Sequence, residues 1–128
     1  MNLQEINGMY TDFTRYVDVE GGLSRIMKNK KIYGMLLNKF VENTYYGELT
    51  EKLAAGNAEE AERAAHTIKG VAANLSLPLI YEISADMDQR LKLGDMNVQQ
   101  ELMELGEVIG KTVEYIKIVL ENLDSIEV

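Results

Sequence analysis

The sequence predicts an all-α fold: an antiparallel up-and-down four-helix bundle with an additional N-terminal helical segment packed on it. Three observations predict it. Apolar residues recur at steps of three and four through most of the 128 residues. Glycine, asparagine and proline interrupt that pattern at helix-length intervals, and nothing alternates with period two for long enough to make a strand. One-sided apolar stripes joined by short loops bury themselves by packing antiparallel. A chain of this length suggests one domain, 1–128 with its core in 20–124, large enough to bury a core without staples.

In order, Leu3, Ile6, Tyr10, Phe13 and Val17 carry the spacing of an amphipathic N-terminal segment, and Gly21-Gly22 mark an expected break near 18–22. Leu23, Ile26 and Met27 form a short patch ahead of the run Lys28-Asn29-Lys30-Lys31, which reads as solvated surface. The main helices are expected at roughly 30 to 55, 58 to 75, 78 to 93 and 97 to 124. Ile32, Met35, Leu36, Phe40, Tyr45, Leu49 and Leu53 line one side of the first, which stops at Gly56. Asn57 caps the second, Pro78 sits in the first turn of the third, and Gly94-Asp95 ends it. Ile80, Ile83, Met87 and Leu91 point inward from the third. The fourth opens at Asn97 with Gln100 placed for a capping box and carries Val98, Leu102, Leu105, Ile109, Thr112, Ile116, Val119 and Leu123 inward.

The charge balance is acidic, with a net charge of −8. That opposes a nucleic-acid or anionic-membrane surface and favours a basic partner surface. No cysteine and one histidine leave no disulfides and no ordinary zinc site, so neither metal nor cofactor is expected. No run approaches a membrane span, and the N-terminus lacks the layout of a signal peptide; a cytoplasmic protein is expected. Gly106 to Thr112 looks like a phosphate-binding loop but is one residue short and lies within an unbroken helical pattern, so its two glycines read as close packing or tolerance.

The stretch Ala58 to Leu75 holds the lone histidine. At about 100° per residue, Ala61, Ala64, Ala65, Val71, Ala72 and Leu75 fall within about 60° of Ile68, a small-apolar face for close packing. His66 lies about 160° away, with Glu59, Glu62, Lys69, Gly70 and Ala73 on its side. Lys69 and Gly70 are one turn along, so the lysine can reach a group carried by the imidazole while the glycine leaves room for it. A glycine inside a helix is about 1 kcal/mol worse than alanine, and access by a bulky partner is one reason for it. An exposed neutral imidazole has a lone pair that can attack a phosphoryl group delivered on a good leaving group. Spacing alone leaves an ordinary surface histidine as the alternative.

Ala65-His66-Thr67-Ile68-Lys69-Gly70-Val71-Ala72-Ala73-Asn74-Leu75 resembles the signature of histidine-containing phosphotransfer (HPt) domains. Leu36-Leu37-Asn38-Lys39-Phe40, Leu53-Ala54-Ala55-Gly56-Asn57 and Leu91-Lys92-Leu93-Gly94-Asp95 resemble the family as well, so that the likeness spans about residues 20 to 120. Ala73 and Ser76 depart from it, standing where the family often has glycine. The resemblance implies a bacterial-type phosphorelay carrier in a four-helix bundle. His66 takes a phosphoryl group from a receiver-domain aspartate and passes it to another receiver, with Lys69 as electrostatic helper and Gly70 as clearance.

Its implied partners are response-regulator receiver domains and a hybrid sensor kinase, and the expected state is a monomer without kinase activity of its own. Glu62 and Ala73 are candidates for the partner surface. Gln89 and Lys92 are candidates for positions near the phosphate, and the sequence leaves open which of Asp88, Gln89 and Lys92 faces His66. The alternative is a helical docking module that binds signalling partners without phosphotransfer.

Overall fold

In the computed structural model, which describes residues 1–127, every element is helical. Three short helices come first: α1 (Leu3–Met9), α2 (Phe13–Tyr16) and α3 (Val19–Ser24). The bundle follows as α4 (Lys30–Glu42), α5 (Tyr46–Ala54), α6 (Ala58–Leu75), α7 (Pro78–Lys92) and α8 (Gln99–Glu121), with a 3-10 turn at Leu123–Ser125. No helix among the described residues is long and apolar enough to cross a membrane.

Local chemistry explains most of the boundaries. Gly56 (φ +70°) and Gly94 (φ +80°) adopt the left-handed conformation that ends helices. Asn57 Oδ1 accepts the Glu60 N–H at 3.1 Å, satisfying a donor that the first turn of α6 cannot pair internally. Pro78 occupies the first turn of α7, where a missing N–H matters least. Ser76, between the two, is also left-handed (φ +57°), which gives a physical reason for glycine at this position in the family.

Four expectations need correction. The helix expected over 30–55 is two: Asn43 and Tyr45 leave the helical conformation, and Asn43 Oδ1 and Thr44 Oγ1 take up the N–H groups of Tyr45 and Tyr46. The stripe on α4 is also turned. Tyr33, Leu37 and Phe40 are buried, while Ile32 and Met35 are exposed, because the Tyr33 hydroxyl reaches into the core to donate to the Leu75 carbonyl. The break expected near 18–22 falls at Val17-Asp18, ahead of Gly21-Gly22, which lie inside α3, where a Cβ on Gly22 would stand 2.5 Å from the Tyr33 ring. The capping box expected at Asn97 is absent as well, since α8 starts at Gln99 without a side-chain cap.

The core runs through Ile6, Phe13, Leu37, Leu49, Ile68, Ile80, Met87, Leu105 and Ile116, all at most 2% exposed. Gly106 lets α5 approach α8: a Cβ there would lie 2.7 Å from the Tyr46 hydroxyl, which donates to the Leu102 carbonyl. Gly110 faces open space, so one of the two glycines serves packing and the other is tolerated. The turn between α6 and α7 is held from outside, by the Asp18 N–H on the Ser76 carbonyl (2.9 Å) and by Arg25 on the Ser76 hydroxyl (3.3 Å).

Candidate functional site: an exposed imidazole on a buried carboxylate

α6 is built to be a straight, closely packed helix. Ala61, Ala64, Ala65, Ile68, Ala72 and Leu75 are buried along one face, and small side chains there bring α7 near. Glu59 and Glu60 sit in the first turn, where the helix dipole favours negative charge, and both pair with Arg63. His66 stands on the opposite face with its side chain 60% exposed.

Behind the imidazole lies Asp88 of α7, only 2% exposed. It is on the inward face with Ile80, Ser84, Met87 and Leu91, and a carboxylate buried there must be paired to be tolerated. Its Oδ2 lies 3.0 Å from Lys69 Nζ, 3.3 Å from His66 Nδ1 and 3.4 Å from Lys92 Nζ. Its Oδ1 is buried without a donor. One atom each of Glu62, His66 and Asp88 lies within 4.8 Å of the others. That spacing suits a cation, but Lys69 and Lys92 already bring positive charge to the same carboxylate.

The electrostatics of the pair follow from this packing. Burial pushes Asp88 up, but its hydrogen bonding with Glu62, Lys69 and His66 outweighs that, so Asp88 is held well below the usual carboxylate range. Glu62 moves the other way, raised first by its hydrogen bonding with Asp88 and then by burial and the Asp88 charge, which oppose its ionisation. The Asp88 hydrogen bond likewise raises Lys69. Asp88 is therefore ionised and can only accept. A neutral His66 places its proton on Nδ1, toward Asp88, and leaves the Nε2 lone pair to solvent.

Of the residues expected from sequence, His66, Lys69, Glu62 and Lys92 come together around Asp88. Gly70 is exposed, and a Cβ there would meet nothing within 4 Å. Ala73 is half-buried and lines a neighbouring cavity with Ser76 and Tyr81 rather than joining the cluster. Gln89 is exposed and takes no part in the cluster; the residue that faces His66 is Asp88. The helical period held a signal for that choice, since at about 100° per residue Asp88 falls beside Ser84 and Leu91 while Gln89 falls about 200° from Met87.

Fold and site define an all-helical domain that presents one exposed imidazole, backed by a buried carboxylate with lysines on its flank. The family model described as Hpt domain matches residues 37–126, and the chain belongs to that family. Hpt domains are phosphotransfer modules of two-component systems; they act with receiver domains and kinases as carriers of the phosphoryl group and are not kinases themselves. No curated protein and no solved structure matches the chain.

Proposed function

We propose that this chain is a phosphorelay intermediate that accepts a phosphoryl group from a receiver aspartate onto Nε2 of His66 and returns it to the aspartate of another receiver. The observation that carries the reading is the His66–Asp88 contact at 3.3 Å beneath an exposed imidazole. In the forward step the Nε2 lone pair attacks phosphorus, the N–P bond forms, and the P–O bond to the aspartyl group breaks to leave a carboxylate. The proton already on Nδ1 stays there, and Asp88 offsets the positive charge that grows on the ring. No base is needed, and the reverse step uses the same atoms.

Lys69 has the role of steadying the phosphoryl oxygens, which positioning and electrostatics can do without covalent chemistry. Gly70 leaves the approach open. The test is to incubate the protein with phosphorylated receiver domains and follow acid-labile, alkali-stable label on wild type and His66→Gln. Label on wild type alone is expected. Label that survives in the variant removes His66 from the mechanism, and binding without label on wild type favours a docking module.

A further inference from the structure

Two carboxylates and the lone imidazole converge at the seam between α6 and α7, and one of their oxygens has no partner. Glu62 and His66 are one turn apart on α6, a spacing at which a helix can present two ligands to one ion. Asp88 faces them from α7, and one ligand atom from each of the three lies within 4.8 Å of the others. Zinc bonds of about 2.0–2.2 Å hold tetrahedral ligands about 3.4 Å apart. Glu62 is half-buried and the imidazole is 60% exposed, so both are free to make that small closure onto a fixed Asp88.

A second observation is independent of that spacing. Asp88 is buried, and while its Oδ2 takes Lys69, His66 and Lys92, its Oδ1 is buried with no hydrogen-bond partner. A carboxylate oxygen left without a partner in the interior is costly, and Glu62 brings a second carboxylate beside it. A cation on Oδ1 answers both carboxylates without displacing the lysines from Oδ2. Lys69 and Lys92 oppose that cation by repulsion, but their side chains are 27% and 52% exposed, so solvent screens them. One nitrogen and two carboxylates differ from the ordinary zinc site of several histidines or cysteines. They make a weaker, exchangeable set that suits a borderline cation better than magnesium, which takes oxygen ligands in a strict octahedron.

We propose that Glu62, His66 and Asp88 form an inhibitory site for a divalent transition cation of the zinc type, whose binding switches off phosphoryl acceptance. The site stands on these three side chains alone, and the block rests on the relay reading above. Coordination through Nε2 occupies the lone pair that attacks phosphorus. Coordination of the neutral ring through Nδ1 places its proton on Nε2 and removes that lone pair as well. By either nitrogen, no N–P bond forms while the ion is held.

The test titrates the untagged full chain with zinc by isothermal calorimetry and follows labelling of His66 by phosphoramidate, a small donor that needs no docking, at the same zinc concentrations. Zinc is expected to bind wild type at one site and to suppress labelling in step with occupancy, and EDTA to restore it. His66→Gln and Glu62→Ala should each bind zinc about tenfold more weakly, while Lys92→Gln, which relieves repulsion, should bind it about threefold more tightly. Glu59→Gln with Glu60→Gln, on the same helix but outside the cluster, should stay within about twofold of wild type, and magnesium should not distinguish wild type from His66→Gln. Zinc held equally by wild type and His66→Gln, or not bound by wild type, overturns the site. Labelling undiminished at full occupancy overturns the block. Wild type that takes zinc but accepts no label even in its absence overturns the relay reading and leaves the site standing. All the substituted positions are partly or fully exposed, and unchanged helicity by circular dichroism separates a lost ligand from lost folding.

Discussion

Replacing Asp88 by asparagine keeps the side-chain volume and removes the charge on which the site is built. Three donors meet at Oδ2, and the one that matters for chemistry is His66 Nδ1 at 3.3 Å. An asparagine there presents either a neutral oxygen, which holds the Nδ1 proton less firmly, or an NH₂ group, which forces the proton to Nε2 and removes the nucleophilic lone pair. Both slow transfer. A hydrogen bond to a charged group contributes about 1.5–3 kcal/mol and a neutral one about 1 kcal/mol, so the change lies at about 0.5–2 kcal/mol. The contact is long and the imidazole is 60% exposed, which places the loss near the middle of that range. About 1 to 1.4 kcal/mol corresponds to about a five- to tenfold slower step. The assay is single-turnover transfer from a phosphorylated receiver at saturating concentration, with the imidazole ¹⁵N shifts recorded alongside. A merely structural Asp88 leaves the tautomer unchanged. Transfer by Asp88→Asn within twofold of wild type, or a wild-type imidazole with its proton on Nε2, refutes the reasoning.

Three further outcomes follow from other parts of the molecule. A Cβ at Gly70 meets no neighbour within 4 Å and Gly70→Leu replaces a poor helix former, so thermal unfolding should show stabilisation of about 0.5–0.8 kcal/mol; transfer from a receiver should fall on the order of a hundredfold as the partner is displaced, and normal transfer would falsify the clearance argument. Glu62→Gln should gain stability over wild type as pH rises: Glu62 has a raised folded pKa, so its contribution is complete below the usual carboxylate range and is lost as pH climbs through the folded value. Urea unfolding should show the gain reaching about 1 kcal/mol by neutral pH, and a difference that stays flat from about pH 4 to 7 sinks the carboxyl-pair account. Tyr33→Phe removes the buried hydroxyl from the Leu75 carbonyl and should lower unfolding free energy by about 1 kcal/mol while phosphoramidate labelling of His66 is unaffected; an undiminished midpoint denies that this bond holds α4 to α6.

The helix that carries the histidine was legible to the residue because its signals are local. Asn57 caps it, Gly56 takes a positive φ before it, and an alanine-rich face needs only a period of 3.6 to be seen. α4 was not, because its phase depends on a partner far along the chain: Ile32 and Met35 fit an inward stripe as well as Tyr33 and Leu37 do, until the Tyr33 hydroxyl finds the Leu75 carbonyl 42 residues away. The break after Glu42 was hidden for a related reason, since Asn43 and Thr44 compete with the helix through side-chain hydrogen bonds that composition does not display. At the site, His66, Lys69 and Gly70 came from spacing on one helix. Asp88 needed the seam between two helices, where a charge that looks solvated in the sequence is buried against another helix.

That seam also determines how defects at the site should sort. Every side chain of the cluster is on α6 or α7, two helices joined by a two-residue turn whose carbonyls at Leu75 and Ser76 are held by α4 and by the chain entering α3. The imidazole, the carboxylate and the lysines are therefore mounted on one stiff unit, with no loop between the nucleophile and the groups that orient it. A change in the seam alters the nucleophile itself and should be felt by every donor, a small molecule included. A change at Gly70 leaves the nucleophile as it was and alters only which surfaces can approach it, so it should be felt by protein donors alone. Comparing transfer from phosphoramidate with transfer from a receiver thus assigns any variant of this domain to its chemistry or to its recognition. The two properties can be changed separately because a side chain begun at Gly70 meets none of the groups that orient the imidazole.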